Sequence, residues 1–92
     1  MAKLSARNRR ELSRYERLEV APEPGIMART TTYALMSDGH ILSKRAVRFD
    51  DEPRPHSLPW KDSPGYLGVG QFAEFRAQLV RRGFSLVGAH HA

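Results

Sequence analysis

Apolar residues near the start of the chain recur at a spacing typical of an amphipathic helix. Leu12, Tyr15 and Leu18 stand three residues apart, and Leu4 joins them in one stripe when the chain is wound at about 100° per residue. A Pro-Glu-Pro-Gly segment follows and breaks regular structure. The pattern predicts an N-terminal helix over residues 4–19.

The clearest local signal is a β-hairpin over residues 29–49. Two runs rich in β-branched and aromatic residues flank an Asp-Gly dipeptide at positions 38 and 39. This dipeptide is preferred in two-residue type I′ turns. A turn of that kind would place Tyr33 opposite Lys44. The pattern therefore predicts two antiparallel strands in the middle of the chain.

The next segment, residues 50–66, is rich in proline and lacks periodicity, which predicts a long loop. Trp60, the one tryptophan of the chain, lies inside it. A free tail seldom carries a tryptophan, so its ring is expected to dock on the rest of the protein. It either anchors an interface or closes one end of the core.

Phe72, Phe75 and Leu79 recur at helical spacing and predict a second helix over residues 69–82. Gly83 suits the left-handed residue that commonly follows a helix. The apolar run 84–87 predicts a short third strand, and residues 88–92 read as a frayed tail. Together these elements predict a single α+β domain over residues 1–92, with both helices packed on the hairpin.

The composition of the chain indicates the charge of its partner. Fifteen lysines and arginines against ten acidic residues give a net charge of +5, and most of the basic residues are arginine. A positive protein attracts anionic partners. Arginine suits bidentate contact with phosphate or carboxylate. Neither a signal peptide nor a membrane span is visible in the sequence, so we expect a cytoplasmic protein with no membrane partner.

The basic residues and Trp60 form the predicted partner-binding site. On the predicted first helix, four arginines fall within about 80° of one another and form a ridge. The ridge either faces an anionic partner or is a solvated surface whose side-chain stems cover the core. A second group lies on the hairpin and the loop, where Arg45 must point to the face opposite Lys44 and Arg48. The full predicted set is Arg7, Arg10, Arg14, Arg17, Lys44, Arg45, Arg48, Arg54, Trp60 and Lys61.

Catalytic and metal-binding patterns are missing from the sequence. Without cysteine there is no thiolate nucleophile or thiolate metal site. The glycines of GYLGVG lack the Lys-Ser/Thr of a phosphate-binding loop, and turn and cap chemistry explains them better. The four histidines lack the spacing of a zinc site, and the serines stand in no nucleophile motif. We expect a protein that is not an enzyme and has neither cofactor nor metal.

The small size, the opening MAKLSARNRREL and the single hairpin around SDGHILSKR resemble phage-encoded accessory proteins. Among these, the chain is similar in size and build to the anti-CRISPR proteins, although its positive charge departs from the acidic DNA mimics among them. The resemblance implies an inhibitor in the bacterial cytoplasm that binds a nucleic-acid-handling protein or ribonucleoprotein complex and blocks it. The alternative is a protein that binds DNA or RNA directly through the arginine ridge.

Overall fold

The computed structural model describes residues 10–62 and 69–89. In these ranges the elements are β1 (Glu11–Glu23), β2 (Ile26–Met36), β3 (Ile41–Phe49), β4 (His56–Ser57), β5 (Lys61–Asp62), a 3₁₀ turn (Val69–Gln71), α1 (Phe72–Arg81) and β6 (Ser85–Ala89). All the strands join one antiparallel sheet in the order β4-β3-β2-β1-β6, and β5 also pairs with β3. None of the helices in these ranges is long and apolar enough to cross a membrane.

The predicted α+β layout with an N-terminal helix is wrong. The described part of the chain is mostly antiparallel sheet with one short α-helix, and residues 11–19 belong to β1. β1 pairs with β2 along nearly its whole length and with β6 on its other edge. Helix propensities differ by less than about 1 kcal/mol per residue, so two neighbouring strands outweigh the local preference. Residues 4–9, including Arg7, lie outside the described residues.

The hairpin of β2 and β3 forms around the Asp-Gly dipeptide, but its loop has three residues. The Met36 N–H donates to the His40 carbonyl at 2.9 Å, and the Gly39 N–H donates to the Met36 carbonyl at 3.0 Å. Gly39 has φ +90°, as expected for a type I turn closed by a left-handed residue. The extra loop residue shifts the register by one, so Tyr33 pairs with Ser43 and not with Lys44.

The described part of the proline-rich segment is attached to the sheet. Its two short strands, β4 and β5, pair with the outer edge of β3. Between them the Leu58 N–H donates to the Arg45 carbonyl at 2.9 Å. The sequence predicted a loop here because strands of two residues leave no periodic pattern.

The second helix forms within the predicted range and ends as predicted. Gly83 has φ +90°, and its N–H donates to the Val80 carbonyl at 3.0 Å. The Phe84 N–H donates to the Leu79 carbonyl at 2.9 Å, which completes a Schellman motif. The following strand β6 is a sheet edge beside β1 and includes Gly88 and Ala89 of the predicted tail. The rest of that tail, residues 90–92, lies outside the described residues.

Each long strand alternates its side chains between two faces of the sheet. In residues 13–19, 29–35 and 41–48, odd-numbered side chains share the helix face, which carries α1, and even-numbered side chains share the opposite face. The core lies between α1 and the helix face. Its buried members are Tyr15, Leu35, Ile41, Phe72, Leu79 and Phe84.

Candidate functional site

The strand conformation of β1 divides the predicted arginine ridge. Arg17 points to the helix face and Arg14 to the opposite face, where Arg14 forms an ion pair with Glu11 at 2.8 Å. Arg10 precedes β1 and is exposed. A helix would have placed these arginines on one side, whereas the period of two in a strand separates them. The ridge as predicted from the sequence is therefore wrong.

Other arginines take its place on the helix face. Arg17, Thr31 and Arg45 are cross-strand neighbours on β1, β2 and β3. Arg29 lies one row further along β2, and Arg82 reaches the same place from the end of α1. These four arginines line a cavity of about 220 Å³, which we call the arginine cleft; its other lining residues are Glu19, Thr31, Tyr33 and Phe84.

Charge in the arginine cleft is predominantly positive. Glu19, the one described carboxylate that lines the cleft, accepts a hydrogen bond from Arg29 Nε at 3.2 Å and lies 3.9 Å from Arg17 Nη2. The hydrogen bond from Arg29, followed by the charges of Arg29, Arg17 and Arg45, holds the pKa of the Glu19 carboxyl below its ordinary value. Among the described residues, no carboxylate forms an ion pair with Arg45 or Arg82. Two guanidinium groups of the cleft are thus available to an external anion.

A second and larger cavity, of about 480 Å³, adjoins the arginine cleft along the edge of β3. Its floor consists of helix-face side chains of β2 and β3, and its wall is the segment that runs between β4 and β5. We call it the strand-edge pocket; it is lined by Thr31, Tyr33, Ser43, Lys44, Arg45, Leu58, Pro59, Trp60 and Lys61. Thr31, Tyr33 and Arg45 line both cavities. We refer to the two cavities together as the groove.

Aromatic contacts determine the position of Tyr33 at the junction of the two cavities. Its ring lies edge-on to Phe75 at a centroid distance of 5.7 Å and to Phe84 at 5.3 Å. Both partners belong to the region that packs α1 on the sheet. The junction is therefore held by the core of the protein.

Trp60 docks on the opposite face of the sheet. Arg14 Cζ lies 5.3 Å from the centroid of the indole ring, and Lys44 Nζ lies 4.8 Å from it. Both cations project from that face because they are even-numbered residues of β1 and β3. These cation–π contacts hold the wall of the strand-edge pocket against the sheet.

The structure brings together part of the predicted site. Arg17, Lys44, Arg45, Trp60 and Lys61 line the groove, and Arg14 supports it through Trp60. Arg48 is exposed and points to the opposite face, and Arg54 is exposed in a bend of the chain. Arg7 lies outside the described residues. Arg10, Arg48 and Arg54 line neither cavity of the groove.

Sequence reasoning missed Arg29, Tyr33 and Arg82 as residues of the candidate site. The alternation of Arg29, Thr31 and Tyr33 on β2 was a usable signal, because it places all three on one face. Arg82 had no such signal, since its location depends on how α1 packs on the sheet. No group of three histidine or acidic side chains within residues 10–62 and 69–89 is arranged to hold a metal ion.

The groove offers guanidinium, ammonium and hydroxyl groups beside apolar side chains, which suits the binding of an anion that also has an uncharged part. Comparisons of the chain with protein-family models, with curated proteins and with solved structures find no match.

Proposed function

We propose that this protein binds nucleic acid without catalysing a reaction, and that the groove contacts the phosphates. The observation that supports the proposal is the convergence of four arginines on one cleft that contains a single described carboxylate. Arginine presents a planar set of donors that matches two phosphate oxygens at once. Ion pairs inside the protein occupy Arg29 and part of Arg17, so Arg45 and Arg82 carry most of the proposed binding.

The arrangement of the cations also suits a chain-like anion. Arg17 and Arg45 stand on strands separated by β2, so their backbones are about 10 Å apart across the sheet. Lys61 continues the positive side chains beyond β3, at the far side of the strand-edge pocket. A strand of nucleic acid lying across β1, β2 and β3 would meet cations along its path.

Charge reversal at two sets of arginines tests this proposal. One variant changes Arg17, Arg45 and Arg82 to Glu, and the matched control changes Arg48, Arg54 and Arg81, which are exposed and line neither cavity. The two variants have the same net charge. Fluorescence anisotropy with a labelled single strand should show binding by the wild type, loss of binding in the groove variant and retained binding in the control variant.

Equal loss in both variants would mean that only the net charge of the protein matters, and the groove would not be the site. The salt dependence gives a second measure, because each phosphate contact on a single strand contributes about −0.7 to the slope of log affinity against log salt. A slope near zero would contradict phosphate binding altogether.

A different observation favours the second candidate, an inhibitor that binds a nucleic-acid-handling protein or ribonucleoprotein complex. Leu18 and Val20 lie on the opposite face of β1 and are 60% and 74% exposed. Neighbouring exposed apolar side chains are common at protein interfaces. In a plasmid-interference assay with a panel of RNA-guided nuclease complexes, this inhibitor would restore plasmid survival. Replacing Leu18 and Val20 by serine should abolish the rescue, whereas the groove variant should keep it.

A further inference from the structure

We infer that the groove binds an unpaired nucleotide, with the base in the strand-edge pocket and the adjacent phosphate in the arginine cleft. This inference rests on the proposed function and specifies its ligand as single-stranded nucleic acid. The geometric basis is that the two cavities share Thr31, Tyr33 and Arg45 as lining residues. A ligand that fills both must therefore have an anionic group directly linked to a larger group, and a nucleotide meets this requirement.

The lining of the strand-edge pocket matches the chemistry of a base. Leu58 and Pro59 supply apolar surface on the wall, which the Trp60 ring holds against the opposite face of the sheet. Thr31, Tyr33 and Ser43 supply hydroxyl groups on the floor. Apolar surface suits the face of a heterocycle, and hydroxyl groups can donate to or accept from its polar edge. The volume of about 480 Å³ lies within the range of roughly 300–1,000 Å³ usual for small organic ligands.

Arg45 lies where the base and the phosphate would meet. It lies on β3 between the residues that pair with β4 and those that pair with β5. Its side chain lines both cavities and forms no ion pair with any described carboxylate. Its guanidinium can therefore contact the phosphate while its aliphatic stem borders the base. The same residue would couple the two parts of the ligand.

Duplex nucleic acid does not fit this arrangement. In a duplex each base is stacked on its neighbours and paired along its polar edge, so it cannot enter a pocket lined on its floor and wall by protein. A peptide made only of acidic residues would satisfy the cations but would leave the apolar wall without a partner. The observations consequently favour a single strand over both a duplex and an acidic peptide.

The experiment compares four probes by competition against one labelled single strand. The probes are a ten-nucleotide single strand, the same backbone with abasic sites, the corresponding duplex, and a polyglutamate peptide of matched charge. We expect the base-bearing strand to bind more tightly than the abasic strand by roughly fivefold to a hundredfold, the range that stacking of one base confers. The duplex and the peptide should compete no better than the abasic strand.

A pair of leucine variants identifies the pocket. Leu58 lines it and is 58% exposed, whereas Leu86 is 53% exposed and lines neither cavity. L58A should weaken binding of the base-bearing strand and leave binding of the abasic strand unchanged. L86A should change the affinity for neither strand. A structural defect in L58A would weaken binding of both strands and lower the melting temperature of the protein. The abasic probe therefore distinguishes a structural defect from loss of the base contact. A change in Trp60 fluorescence that the base-bearing strand causes and the abasic strand does not is the second readout, because Trp60 belongs to the wall of the pocket.

Equal affinity for the base-bearing and abasic strands would overturn the inference and leave the proposed function intact. Equal or tighter binding of the duplex or the peptide would overturn it as well. Failure of every nucleic acid probe to bind, or binding that survives reversal of the groove arginines, would instead refute the proposed function.

Discussion

Replacing Arg45 by alanine should weaken binding of a single strand by roughly tenfold to a hundredfold without unfolding the protein. Arg45 lines both cavities and forms no ion pair with a described carboxylate, so its charge is available to the ligand. A hydrogen bond to a charged group contributes about 1.5–3 kcal/mol, and each 1.4 kcal/mol is a factor of about ten in affinity. The expected loss follows from one such contact.

Stability should change little in the same variant. The Arg45 side chain is exposed, and exposed substitutions usually alter the free energy of unfolding by less than about 0.5 kcal/mol. The backbone carbonyl of Arg45 accepts the hydrogen bond from Leu58, and alanine retains that carbonyl. The wall of the strand-edge pocket therefore stays attached to β3.

Fluorescence anisotropy at several salt concentrations measures both the affinity and the number of phosphate contacts. The slope of log affinity against log salt should become shallower by about 0.7, because one phosphate contact is lost. Arg48→Ala is the matched control, since Arg48 is an exposed arginine of the same strand that points to the opposite face. Its affinity should stay within about twofold of the wild type. An equal loss in both variants, or an unchanged slope in the Arg45 variant, would refute the reasoning.

Three further predictions concern the frame of the groove. Leu35→Ala should lower the free energy of unfolding by about 2–5 kcal/mol in chemical denaturation, because Leu35 is fully buried, whereas Leu18→Ala should cost less than about 1 kcal/mol. NMR titration of the Glu19 carboxyl should give a pKa below the ordinary value of a glutamate, and Arg29→Gln should move it back toward that value. The stabilising effect of the ionised carboxyl is present above the unfolded pKa and is lost as the pH falls through the lowered folded pKa. Gly25 has φ +88° with open space around it, so Gly25→Ala should lower the melting temperature by several degrees and Gly25→Asn by less, since asparagine tolerates a left-handed backbone. An unchanged melting temperature in Gly25→Ala, or an unmoved midpoint in Arg29→Gln, would contradict these expectations.

Local chemistry in the sequence determined the features that depend on neighbouring residues. The Asp-Gly dipeptide determined where β2 and β3 turn, and Gly83 followed by Phe84 determined where α1 ends. In each case a few adjacent residues supply the needed φ angle and hydrogen bonds, so the signal is contained within a short window. The register of the hairpin was not determined in this way, because loops of two and three residues accept the same dipeptide.

The tertiary structure decided the conformation of β1. Residues 11–23 contain arginine, glutamate and leucine at helical spacing, yet they lie between β2 and β6 in the sheet. Only Ser13 and Tyr15 are buried on β1. Further along the strand, Arg17 and Glu19 line the polar arginine cleft, and Leu18 and Val20 are exposed on the opposite face. The strand consequently has no clear alternation of apolar and polar residues, and the pairing partner β6 lies far away in sequence.

The groove was decided by the tertiary structure as well. Charge composition indicated an anionic partner, and it pointed to Arg17 and Arg45 as members of two separate clusters. Pairing of β1 and β3 with β2 places these two arginines in one row, and the packing of α1 brings Arg82 to them. The sequence determines which side chains carry charge, whereas strand register and helix packing decide which charges meet, because those contacts join residues far apart along the chain.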